Sequence, residues 1–276
     1  MTLLVIGGSG FLGAELVRRA VAAGHATAAT FATGPGRVAG ATWHALDLHA
    51  PDRIDAVVAE VGPRVMINAT SSRSDWAVTA EGPVRLAMAA VKYGSRLIQV
   101  SSDAVFSGAR VHYDESCLPD PLTPYGAAKA AAETGVRLVH TDAVIARTSL
   151  IIGDGRRSEH VRAVHGLAAG TRDGVLFTDD IRCPVHVFDL AAAPLELASG
   201  DSKGVHHLAG ADAVSRHELG ILVARRDGLD ASRLPAGLRA HSALPGGLDI
   251  RLDSRATQER LRTTLRGART FLTTEA

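Results

Sequence analysis

The fold of this chain is decided by residues 3–13, LLVIGGSGFLG, where a short apolar run leads directly into a glycine-rich turn. Such a run is typical of a strand buried on both faces of a parallel sheet. The turn fits the pattern G-x-x-G-x-x-G, and residues 14–23 follow it with the spacing of an amphipathic helix. We favour dinucleotide binding over a structural turn, because glycines let the backbone approach a pyrophosphate and a helix N-terminus donates N–H groups to it. The turn residues expected to contact the cofactor are Gly7, Ser9, Gly10, Phe11, Leu12 and Gly13.

Apolar strands and amphipathic helices alternate outward from this turn. We predict further strands at residues 26–31, 41–46, 65–69, 96–101 and 143–147, and helices at residues 52–61, 76–93 and 123–139. This alternation predicts βαβ units, and hence an α/β fold with a doubly wound parallel sheet of Rossmann type over residues 1–150.

The alternation loosens after about residue 150. We therefore expect residues 151–276 to form mainly a smaller C-terminal α/β lobe that binds substrate, with a segment near residues 188–200 crossing back to the main sheet. The pattern predicts short extended elements near residues 175–177, 182–187 and 205–208, and helices near residues 190–197, 216–226 and 254–265.

Composition narrows the class of protein. The chain of 276 residues has a formal net charge of +1, which gives no global field to attract nucleic acid or an anionic membrane. Two cysteines without metal-type spacing indicate reduced thiols, and neither a signal peptide nor a membrane span is expected. These features predict a cytoplasmic protein. The spacing of the twelve histidines does not favour a metal site, so we predict no metal.

The end of the second predicted strand bears on the choice of dinucleotide. NAD-binding chains usually carry an acidic residue there to bond the ribose 2′-hydroxyl, whereas here the sequence is TFAT, residues 30–33. Without a carboxylate to repel a 2′-phosphate, and with Arg37 close by, NADP(H) is favoured over NAD(H). Phe31 and Arg37 are therefore candidate cofactor contacts. Asp47 and Leu48 follow the third strand and are candidates beside the adenine, although Asp47 could equally cap a helix.

Three residues form a candidate catalytic set. Tyr125 and Lys129 are four residues apart and share one face of a predicted helix, where a nearby ammonium, aided by an oxidised nicotinamide, favours the phenolate. Ser102 comes just after a buried strand, where a parallel sheet places its ligand-binding loops. Its hydroxyl is expected to hold a substrate carbonyl while Tyr125 donates a proton and a nicotinamide supplies the hydride.

Several motifs occur in the order that they have in extended short-chain dehydrogenases. They are the glycine turn, NAT at residues 68–70, SSDAVFSG at 101–108, YDE at 113–115 and PYGAAK at 124–129. Among these dehydrogenases the chain most resembles the dTDP-4-dehydrorhamnose reductase family, and LDIRLDS at residues 248–254 resembles the late segment of that family. One departure is Ala104, which stands where these reductases commonly have tyrosine.

The resemblance implies a Rossmann domain with a small substrate lobe, and reduction of a ketone on a nucleotide-linked sugar. It implies that Ser102, Tyr125 and Lys129 are catalytic, with Lys129 also binding the nicotinamide ribose. Further cofactor contacts implied by position are Ala69, Thr70, Ser71, Ser101, Ser149 and Leu150. Implied substrate contacts are Ser102, Asp103, Ala104, Tyr125 and Arg182. Because dimers are common in this family, a homodimer is also an expectation.

Two other functions stay open on the sequence. One is a nucleotide-sugar epimerase on the same scaffold, which recycles its hydride. The other is a regulatory protein that binds the cofactor without turnover, since the regulatory subunit of methionine adenosyltransferase resembles the same reductase family. The complete set of Ser102, Tyr125 and Lys129 favours an enzyme, because a binding protein has no need of it.

Overall fold

The main sheet has seven parallel strands. The computed structural model describes residues 1–273, apart from the side chain of Arg156. The strands are β1 (Thr2–Ile6), β2 (Ala26–Phe31), β3 (Ala41–Ala45), β4 (Val65–Asn68), β5 (Arg96–Ser102), β6 (Val144–Thr148) and β7 (Gly204–Leu208). Their order is β7-β6-β5-β4-β1-β2-β3, and every neighbouring pair is parallel. This confirms the predicted α/β fold with a doubly wound Rossmann sheet.

Helices cover both faces of this sheet. They are α1 (Phe11–Ala22), α2 (Pro51–Val61), α3 (Gly82–Lys92), α4 (Pro124–Val139), α5 (Glu159–Ala169), α6 (Val187–Ser199), α7 (Arg216–Arg226), α8 (Arg255–Gln258) and α9 (Ala268–Phe271). Successive residues of a strand point to opposite faces, so β1 contributes to two cores. Leu3 packs with side chains of α1 and α6, whereas Leu4 packs with side chains of α2, α3 and α4.

The segment between β6 and β7, together with the residues after β7, forms a smaller layer beside the carboxyl ends of the strands. Helices α5, α7 and α9 share an apolar core that includes Val161, Val164, Leu219 and Val223. The short strands around it are Ile151–Ile152 paired with Val185–His186, Leu176–Phe177 with Ala236–Gly237, Ile181–Arg182 with Val214–Ser215, and His112–Tyr113 with Arg251–Leu252. This layer lies where a parallel sheet binds its ligands.

A segment near residues 188–200 was expected to cross back from the smaller layer to the main sheet, and the chain does so. Helix α6 packs on α1, and β7 then pairs with β6 along its whole length. The division at residue 150 stays a prediction, and residues 274–276 of the expected lobe lie outside the described residues. None of the helices within residues 1–273 is both long and apolar enough to cross a lipid bilayer.

The prediction of a helix over residues 254–265 was wrong, because α8 ends at Gln258. The side chains of other residues satisfy the backbone beyond it. The Gln258 amide nitrogen donates to the carbonyl of Thr263, and its oxygen accepts from the N–H of Leu265. The Glu196 carboxylate accepts from the N–H groups of Arg262 and Thr263. These tertiary hydrogen bonds replace the helical ones, so local periodicity misled the prediction.

Two smaller differences occur at helix starts. The helix predicted over residues 76–93 begins with a π-helical turn, Ala77–Glu81, and becomes α-helical at Gly82, where Pro83 removes a backbone donor. Helix α6 begins at Val187 rather than at residue 190. Shorter 3-10 turns occur at Asp103–Val105, Gly155–Arg157, Ala231–Arg233 and Arg239–His241.

Candidate active site

The glycine turn is held in a shape suited to a pyrophosphate. Gly7 has a φ of +78°, which a residue with a side chain rarely adopts, and its N–H donates to the hydroxyl of Thr30 at 3.0 Å. A Cβ on Gly13 would overlap the carbonyl oxygen of Gly7, so this position brings helix α1 close against the turn. Gly10 is the N-cap of α1 and carries no side chain that would occupy the free N–H groups of the helix.

The next loop along the sheet lies beside this turn. Asn68 is buried at the end of β4, and its amide oxygen accepts from both the N–H and the hydroxyl of Thr70, at 3.0 and 2.6 Å. Its amide nitrogen donates to Gln99 of β5 at 2.8 Å. These bonds fix the path of the chain through Ala69 and Thr70 toward the exposed Ser71.

The predicted catalytic residues converge from two elements. Ser102 ends β5, and Tyr125 and Lys129 lie on the first turns of α4. Thr123 caps this helix, because its hydroxyl accepts from the N–H of Gly126 at 3.0 Å, and Pro124 occupies its first turn. A Cβ on Gly126 would overlap the carbonyl of Ala104, so the glycine allows α4 to approach the loop that follows Ser102.

Tyr125 is protonated at neutral pH in this environment. Burial raises the pKa of its phenol, and the carboxylate of Asp103 adds to this effect, while a hydrogen bond from Ser71 lowers it. The Ser71 hydroxyl donates to the phenol oxygen at 3.0 Å. The expected lowering by Lys129 is not seen, because its ammonium lies 6.0 Å from the centre of the tyrosine ring and is engaged elsewhere.

Lys129 is a buried cation on backbone carbonyls. Its side chain donates to the carbonyls of Val100 and Thr70 at 3.2 and 3.4 Å, and the residue is 2% exposed. Burial lowers its pKa from 10.5 to about 8, although Glu133, one turn further along α4, opposes this change. An ammonium in this position suits the hydroxyl groups of a ribose.

Asp103 forms a buried polar centre directly behind Ser102. One carboxylate oxygen accepts from the hydroxyl of Ser102 at 3.2 Å, and the other accepts from Ser149 at 2.6 Å. The guanidinium of Arg182 lies 3.7 Å away. The predicted substrate residues Asp103 and Arg182 therefore lie together with Ser102, and Ser149 joins them from the end of β6.

An arginine-rich wall, formed by Arg182, Arg216 and Arg239, lies across from the catalytic residues. All three guanidinium groups contact the buried carboxylate of Asp180, at 2.8, 3.3 and 3.2 Å. Arg216 and Arg239 were not identified from the sequence, since residues in separate segments of the chain give no local pattern. His160 of α5 faces Arg216 at 3.5 Å, and burial lowers its pKa to about 3, so it is neutral.

One cavity of about 680 Å³ connects these groups. Most of the predicted site residues line it: Gly10, Phe11, Leu12, Ala69, Thr70, Ser71, Ser101, Ser102, Asp103, Ala104, Tyr125, Lys129, Ser149, Leu150 and Arg182. The remaining predicted cofactor residues lie outside its lining: Gly7, Ser9, Gly13, Phe31, Arg37, Asp47 and Leu48. Arg37 is exposed, and the Asp47 carboxylate accepts from the N–H of His49 rather than from a helix start. Within residues 1–273, no group of three or more His, Cys, Asp or Glu side chains is placed to hold a metal.

Comparison with known proteins identifies the family. The model of the RmlD substrate binding domain matches residues 1–265. This chain belongs to that family. A dTDP-4-dehydrorhamnose reductase of Mycobacterium tuberculosis (strain CDC 1551 / Oshkosh) is 30% identical over 243 residues, which are 84% of this chain and 77% of the relative. The resemblance seen in the sequence is therefore confirmed, and the chain is an oxidoreductase of the extended short-chain dehydrogenase type.

Two further similarities extend this comparison. The crystal structure of dTDP-4-dehydrorhamnose reductase from Bacillus anthracis, in complex with NADP, superposes with a TM-score of 0.83 at 20% identity, covering 98% of this chain and 96% of that one. The methionine adenosyltransferase 2 subunit beta of Bos taurus is 29% identical over 197 residues, 67% of this chain and 57% of that protein. The similarity to the Bacillus anthracis structure shows the fold. The similarity to the bovine protein is to a methionine adenosyltransferase subunit, the kind of protein that the sequence left open as an alternative.

Proposed function

We propose that this chain reduces a keto group on a nucleotide-activated sugar with NADPH, as a reductase of the dTDP-4-dehydrorhamnose type. The observation that carries the proposal is the single cavity that joins Ser102, Tyr125 and Lys129 to the arginine-rich wall. One side of this cavity carries acid–base groups beside a dinucleotide turn, and the other carries cations suited to a second phosphorylated ligand.

The catalytic side supports reduction. Tyr125 is protonated and can donate to a carbonyl oxygen, because burial raises the pKa of its phenol. Ser102 lies beside it and donates to Asp103 in this structure; when its hydroxyl turns toward a substrate, it can donate to the same carbonyl oxygen. Lys129 provides a buried donor for the hydroxyls of a ribose. A bound nicotinamide would supply the hydride.

The cofactor is NADP(H). The glycine turn and the N-terminus of α1 fit a pyrophosphate, and Thr30, at the end of β2, uses its hydroxyl to accept from the N–H of Gly7. No acidic side chain follows Thr30 at the end of this strand, so a 2′-phosphate meets no carboxylate there. Arg37 is exposed and follows this strand in the sequence, so its guanidinium is available to this phosphate.

The arginine-rich wall supports a substrate with a diphosphate. Arg239 donates to Asp180 and to the carbonyl of Gly247, and Arg182 donates to the same carbonyl and forms an ion pair with Asp180, so these contacts hold both arginines in place. Arg216 keeps part of its guanidinium toward the cavity, and Arg157 lies on the same lining. A guanidinium group can donate two parallel hydrogen bonds to the oxygens of one phosphate, which favours a nucleoside diphosphate sugar over an uncharged ketone.

Cofactor titration and turnover test the proposal together. We expect NADPH to bind more tightly than NADH, and dTDP-4-dehydrorhamnose to oxidise NADPH. Tyr125→Phe should retain NADPH binding and lose turnover by roughly 100-fold or more, because it removes the proton donor. Tyr93→Phe is the matched control, since Tyr93 contacts Asp55 on the outer face of the helices. Failure of both nucleotides to bind would refute the oxidoreductase function.

The same experiment separates the alternatives left by the sequence. Tight NADPH binding with no turnover on any nucleotide-linked ketone would favour a regulatory role, the alternative that the sequence left open. Interconversion of nucleotide sugars without net oxidation of the nicotinamide would favour an epimerase. The close placement of Tyr125, Ser102 and Lys129 supports an enzyme over a regulatory protein.

A further inference from the structure

The loop between β2 and β3 carries Arg37 and starts next to the glycine turn, where the Thr30 hydroxyl accepts from the N–H of Gly7. In a Rossmann sheet an arginine near the end of the second strand accommodates the 2′-phosphate of NADP. Within the part of the chain that the structure describes, residues 32–37 make no hydrogen bond to other residues. The position of the exposed Arg37 side chain therefore depends on how the backbone of this loop is packed.

One aromatic side chain lies directly against the loop. Trp43 of β3 is half-buried, is paired with Ala29 of β2 in the sheet, and packs against the core that α1 shares with the sheet. A Cβ on Gly36 would lie 2.2, 2.6 and 3.0 Å from three carbon atoms of the Trp43 indole. Because these distances leave no room for a side chain, the backbone of Gly36 contacts the ring itself.

The same indole also reaches the glycine turn. A Cβ on Gly8 would lie 3.3 Å from the Cζ3 atom of Trp43. A Cβ on Gly34, by contrast, would meet no atom within 4 Å, so the close contact with the indole is made at Gly36 and not earlier in the loop. Trp43 therefore contacts both the turn that suits a pyrophosphate and the loop that carries Arg37, and it fixes the spacing between them.

We propose that Trp43 is a positioning residue that sets the preference for NADPH over NADH by holding Arg37 at the 2′-phosphate. The inference rests on the proposed function, in which NADPH is the reductant. The pyrophosphate and the 2′-phosphate belong to one molecule and lie a limited distance apart, so both can bind only if the turn and the loop are correctly spaced. NADH has no 2′-phosphate, so its binding does not depend on where Arg37 lies.

Titration of the protein with each reduced nucleotide, followed by nicotinamide fluorescence, tests this role without turnover. Trp43→Leu should weaken NADPH binding by about 10-fold, as for the loss of one guanidinium–phosphate interaction, and leave NADH binding within about 2-fold of wild type. Thr42→Ala is its control, because Thr42 is an exposed neighbour on the same strand.

A second variant changes the same contact from the side of the loop. Gly36→Ala keeps the indole, but its methyl group would overlap the ring and displace the loop, so it should weaken NADPH binding selectively as well. Gly34→Ala adds the same methyl group where it meets no atom, and it should retain the preference of wild type. This pair keeps the test valid if Trp43→Leu does not fold.

A double-mutant cycle tests whether Trp43 acts through Arg37. Arg37→Ala should itself remove most of the preference for NADPH. Adding Trp43→Leu to Arg37→Ala should then change NADPH binding by less than about 2-fold, because both changes remove one interaction. A further selective loss of NADPH binding in the double variant would overturn the inference.

Two other results would also overturn it. An unchanged nucleotide preference in Trp43→Leu and Gly36→Ala would show that the loop needs no support from the indole. Equal weakening of NADPH and NADH would show that Trp43 supports the pyrophosphate turn at Gly8 instead. A wild type that binds neither nucleotide, or that binds both equally, would refute the proposed use of NADPH and the inference with it.

Discussion

The buried ion pair behind the catalytic helix leads to a quantitative prediction. Glu133 of α4 binds Arg147 of β6 through two carboxylate oxygens at 2.8 to 3.1 Å, and the two side chains are 3% and 1% exposed. Arg147 also donates to the carbonyl of Cys117, and Ser101 donates to Glu133 at 2.6 Å. In Glu133→Gln the guanidinium would remain buried without a counter-charge, which costs about 3 kcal/mol or more of unfolding free energy.

Urea unfolding of wild type and variant measures this cost. With a denaturant slope of about 3 kcal/mol per molar, the expected loss lowers the midpoint by about 1 M. Glu81→Gln is the matched control, because Glu81 pairs with Arg85 at 2.7 Å on the exposed surface and should cost below about 1 kcal/mol. Similar midpoints for both variants would refute the reasoning, since burial would then make no difference to the pair.

Three further predictions concern the glycine turn, Lys129 and the thiols. Gly13→Ala should weaken NADPH binding by about 10-fold or more, because its methyl group would overlap the turn backbone, whereas Gly34→Ala meets no atom and should bind normally. The pKa of Lys129 is lowered to about 8 in the folded chain, so the unfolded chain binds this proton more tightly. The free energy of unfolding should therefore rise with pH between about 8 and about 10.5. Measured by urea unfolding, this rise should be about 3 kcal/mol larger in wild type than in Lys129→Met. The same pH dependence in both proteins would contradict the prediction. Burial raises the pKa of Cys183 to about 12, so mass spectrometry after alkylation of the native protein should find the half-buried Cys117 modified first, and the reverse order would contradict this burial.

The sequence predicted the strands and helices of the Rossmann sheet well because their signals are local. The apolar run of β1, the glycine turn and the start of α1 occupy one short stretch, and each follows from backbone sterics and helix periodicity. The convergence of the candidate catalytic residues could also be predicted, since Tyr125 and Lys129 share one helix face and Ser102 ends a buried strand. Parallel strands place their carboxyl ends together, so these residues meet without further information.

The substrate half could not be predicted in the same way. Arg216 and Arg239 approach Asp180 from separate segments, and only the tertiary fold brings the three groups together. The expected helix over residues 254–265 failed for a related reason, because side chains as distant as Glu196 satisfy its backbone. The pKa of Tyr125 likewise depends on burial, which the spacing to Lys129 does not reveal.

The position of β7 in the sheet has a consequence for how the protein is made. This strand lies at one side of the main sheet and pairs with β6, yet residues 149–203 separate the two in the chain. While a ribosome is synthesising those residues, the backbone of β6 is an unpaired sheet edge, and such edges pair readily with other chains. The nascent protein therefore exposes the backbone of β6, an interior strand of the finished sheet, over this interval, and β7 replaces β6 as the edge when residues 204–208 arrive.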